Sequence, residues 1–172
     1  MANIALIGAH RATKLLAPFS DDSWEIWSCS EKNESELPRQ DVWFELHGEK
    51  AESNIIYMDW LKNVPKVYMQ DVKRGHPNSV RYPLEDVVKE FGSYFLTGTV
   101  SYMLAAAILE KPDAIGLWGI SECPEYSHQK PSLLYFIQEA RNRGIEIIVP
   151  DGVTLLDAPE IYGYNLKVSI GE

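Results

Sequence analysis

Short apolar runs recur along the chain and are separated by segments of helical period. Ile4-Ala5-Leu6-Ile7-Gly8 is a run closed by glycine and reads as a first strand. Trp24 to Cys29, Asp41 to His47, Lys66 to Gln70, Ala114 to Ile120 and Ile145 to Val149 read as five more. The run from Ala114 to Ile120 is apolar without a break, as in a strand covered on both faces of a parallel sheet. Helical patterns fill the intervals at Asn54 to Lys62, Leu84 to Phe91, Val100 to Leu109 and Pro131 to Arg143. The segment Val100 to Leu109 is apolar almost all round and is expected to be buried. Pro131 to Arg143 carries one stripe, formed by Leu133, Leu134, Phe136, Ile137 and Ala140, and Gly144 stops it. Strands alternating with helices predict one α/β domain over residues 1–172. It is a three-layer Rossmann-like fold with a mostly parallel sheet of about six strands. A further edge strand is expected at Leu166 to Ile170.

That topology gathers the loops after the strands along one edge. Thr97-Gly98-Thr99, with Ser101, stands directly before the apolar helix. Helix starts carry unpaired N–H groups and partial positive charge, which suit a phosphate. The competing reading is a simple hydroxyl cap. In the first loop, Gly8 and Ala9 precede Arg11 and Lys14, which either contact a phosphate or are solvated. The two further glycines of a dinucleotide fingerprint are absent there. His47 closes the third strand as a hydrogen-bonder or a ligand contact. The stretch Asp71 to Pro83 reads as irregular and carries Lys73, Arg74, His76 and Arg81, a cationic lid or a solvated loop. Beyond Gly119, Glu122 and Glu125 pair two carboxylates for a ribose, a metal or a proton, or for solvent alone. His128, just before the amphipathic helix, is a structural residue or a general base.

Composition narrows the partners. Net charge is −9 over 172 residues, which argues against a nucleic-acid backbone or an anionic membrane. The cysteines, Cys29 and Cys123, have no spacing to histidine that suggests zinc, and two free thiols in a reducing compartment are expected. No apolar run reaches the length of a membrane span and no secretory signal pattern opens the chain, so a cytoplasmic location is expected. A nucleophile elbow and a Walker phosphate loop are both absent.

Several features occur together: a small-residue turn before Ser101-Tyr102-Met103, the apolar helix, a strand ending Trp118-Gly119-Ile120, then His128-Gln129-Lys130, a helix and Pro150 to Leu156. With these, Tyr94 to Leu156 resembles the carboxyl half of the Rossmann-like core of bacterial sialyltransferases of glycosyltransferase family 42. It also resembles related proteins with a methanogen pterin-pyrophosphokinase-like domain. Ile7-Gly8-Ala9 stands in the place of that family's glycine-rich turn. The resemblance implies that Thr97, Gly98 and Thr99 contact nucleotide or phosphate and that His128 is the base. Ser121 departs from an aspartate often found there, and the acceptor-binding lid is shortened or missing.

Over its full length the chain is similar to small Rossmann-like proteins of bacteriophage genomes. The matching segments are Asp41 to His47, Asn78 to Leu84, and Glu125-Tyr126 to Pro131. The expected partner is a small nucleotide-type ligand, with a homo-oligomer left open and no cofactor or metal identified. Two functions follow as expectations. One is nucleotide or nucleotide-sugar binding with glycosyltransferase-like turnover. The other is non-catalytic capture of a nucleotide signal or cofactor, in the host cytoplasm if phage-encoded.

Overall fold

The apolar runs pair side by side. Asn3–Ile7 (β1), Trp24–Cys29 (β2), Val42–Phe44 (β3), Lys66–Met69 (β4), Ser79–Arg81 (β5), Ala114–Trp118 (β6) and Glu146–Ile148 (β7) form one sheet. Its order is β5-β4-β3-β2-β1-β6-β7, with every neighbouring pair parallel. The helices are Arg11–Lys14 (α1), Glu49–Glu52 (α2), Ile55–Trp60 (α3), Leu84–Phe91 (α4), Thr99–Leu109 (α5) and Lys130–Asn142 (α6). This computed structural model describes residues 3–120, 124–151, 153, 155–156, 160–161, 163 and 166–167. The architecture is the expected Rossmann-like one.

Successive strand residues face opposite layers, so the runs serve two cores at once. Ile4, Leu6, Trp27, Phe44, Tyr68 and Leu117 pack on the face covered by α5 and α6. Ala5, Ile7, Ile26 and Trp118 pack on the other face with Ala17 and Leu37, and Trp43, Val67 and Met69 with Tyr57 and Leu61. Helix α5 is buried through Met103, Leu104, Ala105, Ala106, Ala107 and Ile108, because it packs on β1 and β2 with α4 and α6 against its flanks. Leu155 is buried in the same core.

The sheet has one strand beyond the six expected. It is β5, inside the stretch that reads as irregular. Val67 N–H donates to the Asn78 carbonyl and Tyr82 N–H to that of Met69, so β4 gains a partner along its open side. Polar side chains hold the approach: Asn78 donates to the Leu61 and Val64 carbonyls, and Ser79 to that of His76. An unpaired edge on β4 would leave a row of backbone groups without partners, and the short β5 removes that cost. At the carboxyl end, Leu166–Lys167 (β9) pairs antiparallel with Glu160–Ile161 (β8) and forms a separate hairpin instead of a sheet edge. The rest of the expected strand at residues 168–170 lies outside the described residues.

Strand growth runs from β1 outward to β5, then returns to the opposite side of β1 for β6 and β7. The β1/β6 junction is therefore the switch point of the sheet, where the two flanking crossovers part and leave a crevice at the carboxyl edge. Backbones meet there. Gly8 N–H donates to the Trp118 carbonyl at 2.8 Å and His10 N–H to that of Gly119 at 2.8 Å. A Cβ on Gly119 would lie 2.5 Å from the Gly8 carbonyl oxygen, and Gly119 also holds φ +63°. A Cβ on Gly8 would run into the Gly119 carbonyl and the Ile120 side chain. Gly8→Ala should therefore lower stability by about 1–3 kcal/mol, the usual cost of overpacking. Urea denaturation measures this, and an unchanged midpoint would contradict the close approach.

Candidate functional site

The carboxyl edge of the sheet holds three polar networks. The first surrounds the crevice. Thr13 of α1 accepts the Gly119 amide on Oγ1 at 2.9 Å, which fixes the loop after β6 against the loop after β1. Buried Asn33 donates to the Gly8 and Cys29 carbonyls at 3.1 and 2.9 Å, tying the ends of β1 and β2 together. Lys14 is buried and donates to Asn33 Oδ1 at 3.1 Å and to the Glu36 carboxylate. That bond to Lys14 is the main reason the Glu36 carboxyl sits below its usual range. Lys14 is thus held inside this network. Arg11 is solvated, its side chain 87% exposed, 3.9 Å from Glu36. Ala9 is half-buried beside them.

The second network joins the starts of α5 and α6. Ser132 Oγ lies 2.7 Å from Thr97 Oγ1 and 2.5 Å from Ser101 Oγ, and 3.2 Å from the Gln129 carbonyl. One assignment satisfies all three hydroxyls: Ser132 donates to Gln129 and accepts from Thr97 and Ser101. Ser101 and Ser132 are almost wholly buried, so their hydroxyls need partners inside the protein. No side chain caps α5, whose N-cap position is Gly98. Gly98 is extended at φ −166°, a conformation open to any residue, and the Gln129 side chain lies against it. Thr99 is the first residue of α5 and is half-buried. His128 is exposed on the 3₁₀ turn Pro124–Gln129, one residue before the Gln129 whose side chain lies against Gly98. Glu125 belongs to the same turn, but its side chain lies outside the described residues, as do Ser121, Glu122 and Cys123 entirely.

The third network was not legible in the sequence. Strand β3 stops at Phe44, earlier than the hydrophobic pattern predicts. Glu45 N–H still donates to the Tyr68 carbonyl, at 2.9 Å. Its carboxyl group, 4% exposed, accepts the His47 amide at 2.8 Å and faces His47 Nδ1 at 2.8 Å with the same oxygen. The other oxygen accepts the Tyr57 hydroxyl at 2.8 Å, and Tyr57 accepts Trp43 Nε1–H at 2.7 Å. Trp43 only donates, so Tyr57 must donate onward to Glu45. Burial, and then the charge of Glu45, push the Tyr57 phenol far above its ordinary range, which keeps that proton in place. A cavity of about 150 Å³ adjoins this relay, lined by Glu45, Gly48, Met58, Met69, Gln70 and Lys73.

The cations of the stretch Asp71 to Pro83 do not point to one place. Lys73 pairs with Glu52, and Arg81 with Glu85 at 2.6 Å and Asp71 at 3.6 Å. His76 is buried and meets the Met58 carbonyl through Nε2 at 2.8 Å. Among the described residues, no group of three or more His, Cys, Asp or Glu side chains is arranged to hold a metal ion. Nor is any helix among them long and apolar enough to cross a membrane.

No family model and no curated protein matches the chain. Solved structures do. The monofunctional α-2,3-sialyltransferase Cst-I of Campylobacter jejuni overlays with a TM-score of 0.59 and 13% identity, covering 100% of this chain and 82% of that one. The sialyltransferase CstII of the same organism, in complex with cytidine-5'-monophosphate, gives 0.58 and 14%, covering 97% and 86%. Thiamine pyrophosphokinase of Bacillus subtilis gives 0.50 and 13%, covering 86% and 59%. The chain shares the glycosyltransferase-like fold of the sialyltransferases.

Two measurements test these networks. Ser132→Ala strands the Ser101 hydroxyl in the core and should lower stability by about 1–3 kcal/mol, read from denaturant midpoints. The second concerns Cys29, whose thiol is pushed from 9.0 up to about 12 by burial first and by Glu45 next. Between those values the unfolded chain has lost a proton that the fold retains, so stability must fall as pH rises through the window. The urea midpoint should drop more steeply above about pH 9 in wild type than in Cys29→Ala.

Proposed function

We infer that this protein binds a nucleotide or nucleotide sugar at the carboxyl edge of its sheet, and that glycosyl transfer is its enzymatic version. The observation that carries this reading is the β1/β6 switch point. There Gly8 and Gly119 bring two backbones together without side chains, at the place where open α/β sheets take ligands. The uncapped start of α5 supplies N–H groups for a phosphate, with Gly98 and Thr99 nearest to it. The CstII structure that shares this fold holds cytidine-5'-monophosphate, which supports a cytidine nucleotide as the first ligand to try.

The remaining candidates take graded roles in this reading. Gly8, Ala9 and Gly119 shape the crevice, and exposed Arg11 supplies a cation at its mouth. Thr97 and Ser101 hold the start of α5 through Ser132, so their contribution is to keep the amides in place. His128 is exposed on the turn that leads into α6, and its assigned role is general base for an acceptor hydroxyl. Glu122 and Glu125 follow β6 in the sequence and are assigned to ribose contact. Arg81 acts at the far rim, where a ligand would have to compete with Glu85 and Asp71.

Gly98→Val tests the phosphate contact cleanly. Its backbone needs no glycine, and the side chain it meets is the flexible Gln129. Calorimetric titration with cytidine-5'-monophosphate should show binding to wild type and a loss of at least about tenfold in the variant, or about 1.4 kcal/mol. Thermal melts should stay close together. Equal affinity in the two proteins would remove α5 from the site, and no binding by wild type would overturn the nucleotide reading. Binding with no turnover would leave capture of the nucleotide as the activity.

A further inference from the structure

Three carboxylates stand on the wall of the cavity at the ends of β3 and β4: Glu45, Glu52 and Asp71. Two of them have a permanent cation. Glu52 pairs with Lys73, and Asp71 with Arg81 at 3.6 Å. Glu45 is the most deeply buried, its side chain 4% exposed against 43% for Glu52 and 83% for Asp71. Among the described residues, the His47 ring is the only group within ion-pair distance of Glu45 that can turn positive. A histidine is positive only when protonated, so Glu45 lacks the lasting cation that a buried carboxylate requires. The fold registers this charge, which adds to the rise of the Cys29 thiol and of the Tyr57 phenol.

The wall also has acceptors to spare. Glu45 Oε1 takes the His47 amide and faces Nδ1, whereas Oε2 accepts only the Tyr57 hydroxyl. A carboxylate oxygen has two lone pairs, so Oε2 keeps one. Gln70 uses Nε2–H on the Leu46 carbonyl at 2.7 Å, which leaves its Oε1 as an acceptor over Gly48 on the same wall. The Glu52 carboxylate is a third. A primary ammonium brings three N–H donors and one positive charge, which matches these acceptors and the charge the wall is short of. Met58, Met69 and Ala51 supply the apolar remainder of the lining. Thioethers adapt well to an alkyl chain, and they offer a hard metal ion no oxygen. A cavity of about 150 Å³ holds a molecule of benzene's size, about six heavy atoms.

We propose that this cavity binds a small primary alkylammonium, with its nitrogen at Glu45, Gln70 and Glu52 and its chain against Met58 and Met69. The site is separate from the crevice, because β3 and β4 lie two and three strands from β1. It does not depend on the nucleotide reading. Lys73 is the internal competitor, since its ammonium already engages Glu52. That pair is partly exposed and weak, so an entering amine can displace it.

Carbon-13 methyl spectra of the full-length protein, titrated with n-pentylammonium, read the site at Met58 and Met69. Both signals should shift and saturate, while Met103, in the core under α5, stays in place. 1-Pentanol and butyrate, of about the same size, separate apolar burial from charge. The alcohol should bind at least about tenfold more weakly, as for the loss of a charged hydrogen bond, and butyrate should not saturate. Equal binding of amine and alcohol overturns the proposal, as does failure of the amine to saturate. Glu45→Gln keeps the shape and removes the charge, so it should weaken n-pentylammonium by at least about tenfold, with thermal melts reporting the fold. Lys73→Met acts at the surface and carries the test should Glu45→Gln fail to fold. Without the competing cation, binding should tighten by about threefold, and unchanged or weaker binding overturns the proposal. Ala51→Leu fills the cavity and should abolish the shifts. Shifts that persist in it put the amine elsewhere and overturn the proposal as well.

Discussion

Strand β1 is paired on both edges and covered on both faces, and the rest of the molecule is arranged to keep it so. Its side chains Ile4, Leu6 and Ile7 are at most 2% exposed, and Ala5 is fully covered. β2 and β6 complete its hydrogen bonds in parallel register from Ile4 to Ile7. A parallel pair needs a long crossover, so the chain cannot place β6 there until helices have travelled back across the sheet. α5 is that return. Its apolar surface is broad because one side meets β1 and β2 while others meet α4 and α6. Reversing the direction of strand growth at β1 is what makes the β1/β6 junction a switch point, so the packing requirement of one strand also sets the place of the candidate site.

The polar groups at the carboxyl edge do different work despite their similar composition. Lys14, Asn33 and Glu36 close the end of β1 onto β2, and Asn33 there serves carbonyls that the ladder leaves unpaired. Ser132 with Thr97 and Ser101 clamps two helix starts together. Both networks have buried centres, Lys14 and Asn33 in one and Ser101 and Ser132 in the other. The Trp43–Tyr57–Glu45–His47 relay differs because it begins in the core and ends on an exposed ring. Leaving any buried member without a partner costs about 1–3 kcal/mol. A chain of this kind therefore holds its final residue more tightly than surface contacts can.

Charge acts locally in this acidic chain. Lys73, Arg81 and Arg143 each face a carboxylate, so the cations do not pool into a basic face. Ion pairs this exposed contribute about 0–1 kcal/mol each. They are available to exchange partners with a ligand in a way that buried Lys14 is not.

The sequence by itself determined the layer architecture and most of the elements. Runs such as Ile4 to Ile7 and Ala114 to Trp118 can bury both faces only in a covered parallel sheet, and the 3.6-residue stripe of α6 can pack only one way. The helix Leu84–Phe91 matches its expected bounds because its dipole-matched charges and Gly92 are local signals. Only the tertiary structure decided what was not local. β5 is only three residues between Pro77-Asn78 and Pro83, too short for a legible period, and pairing with the edge of β4 makes it a strand. Thr97 and Ser101 read as phosphate contacts until Ser132, more than thirty positions on, is seen to bind both hydroxyls. Glu45 and His47 look like alternating strand residues. The structure brings them together with Tyr57, from a helix packed on Trp43, which donates to the buried Glu45 carboxyl group. Hydrophobic period is written in neighbouring residues. The partner of a buried polar group is chosen by whichever distant element the packing brings against it.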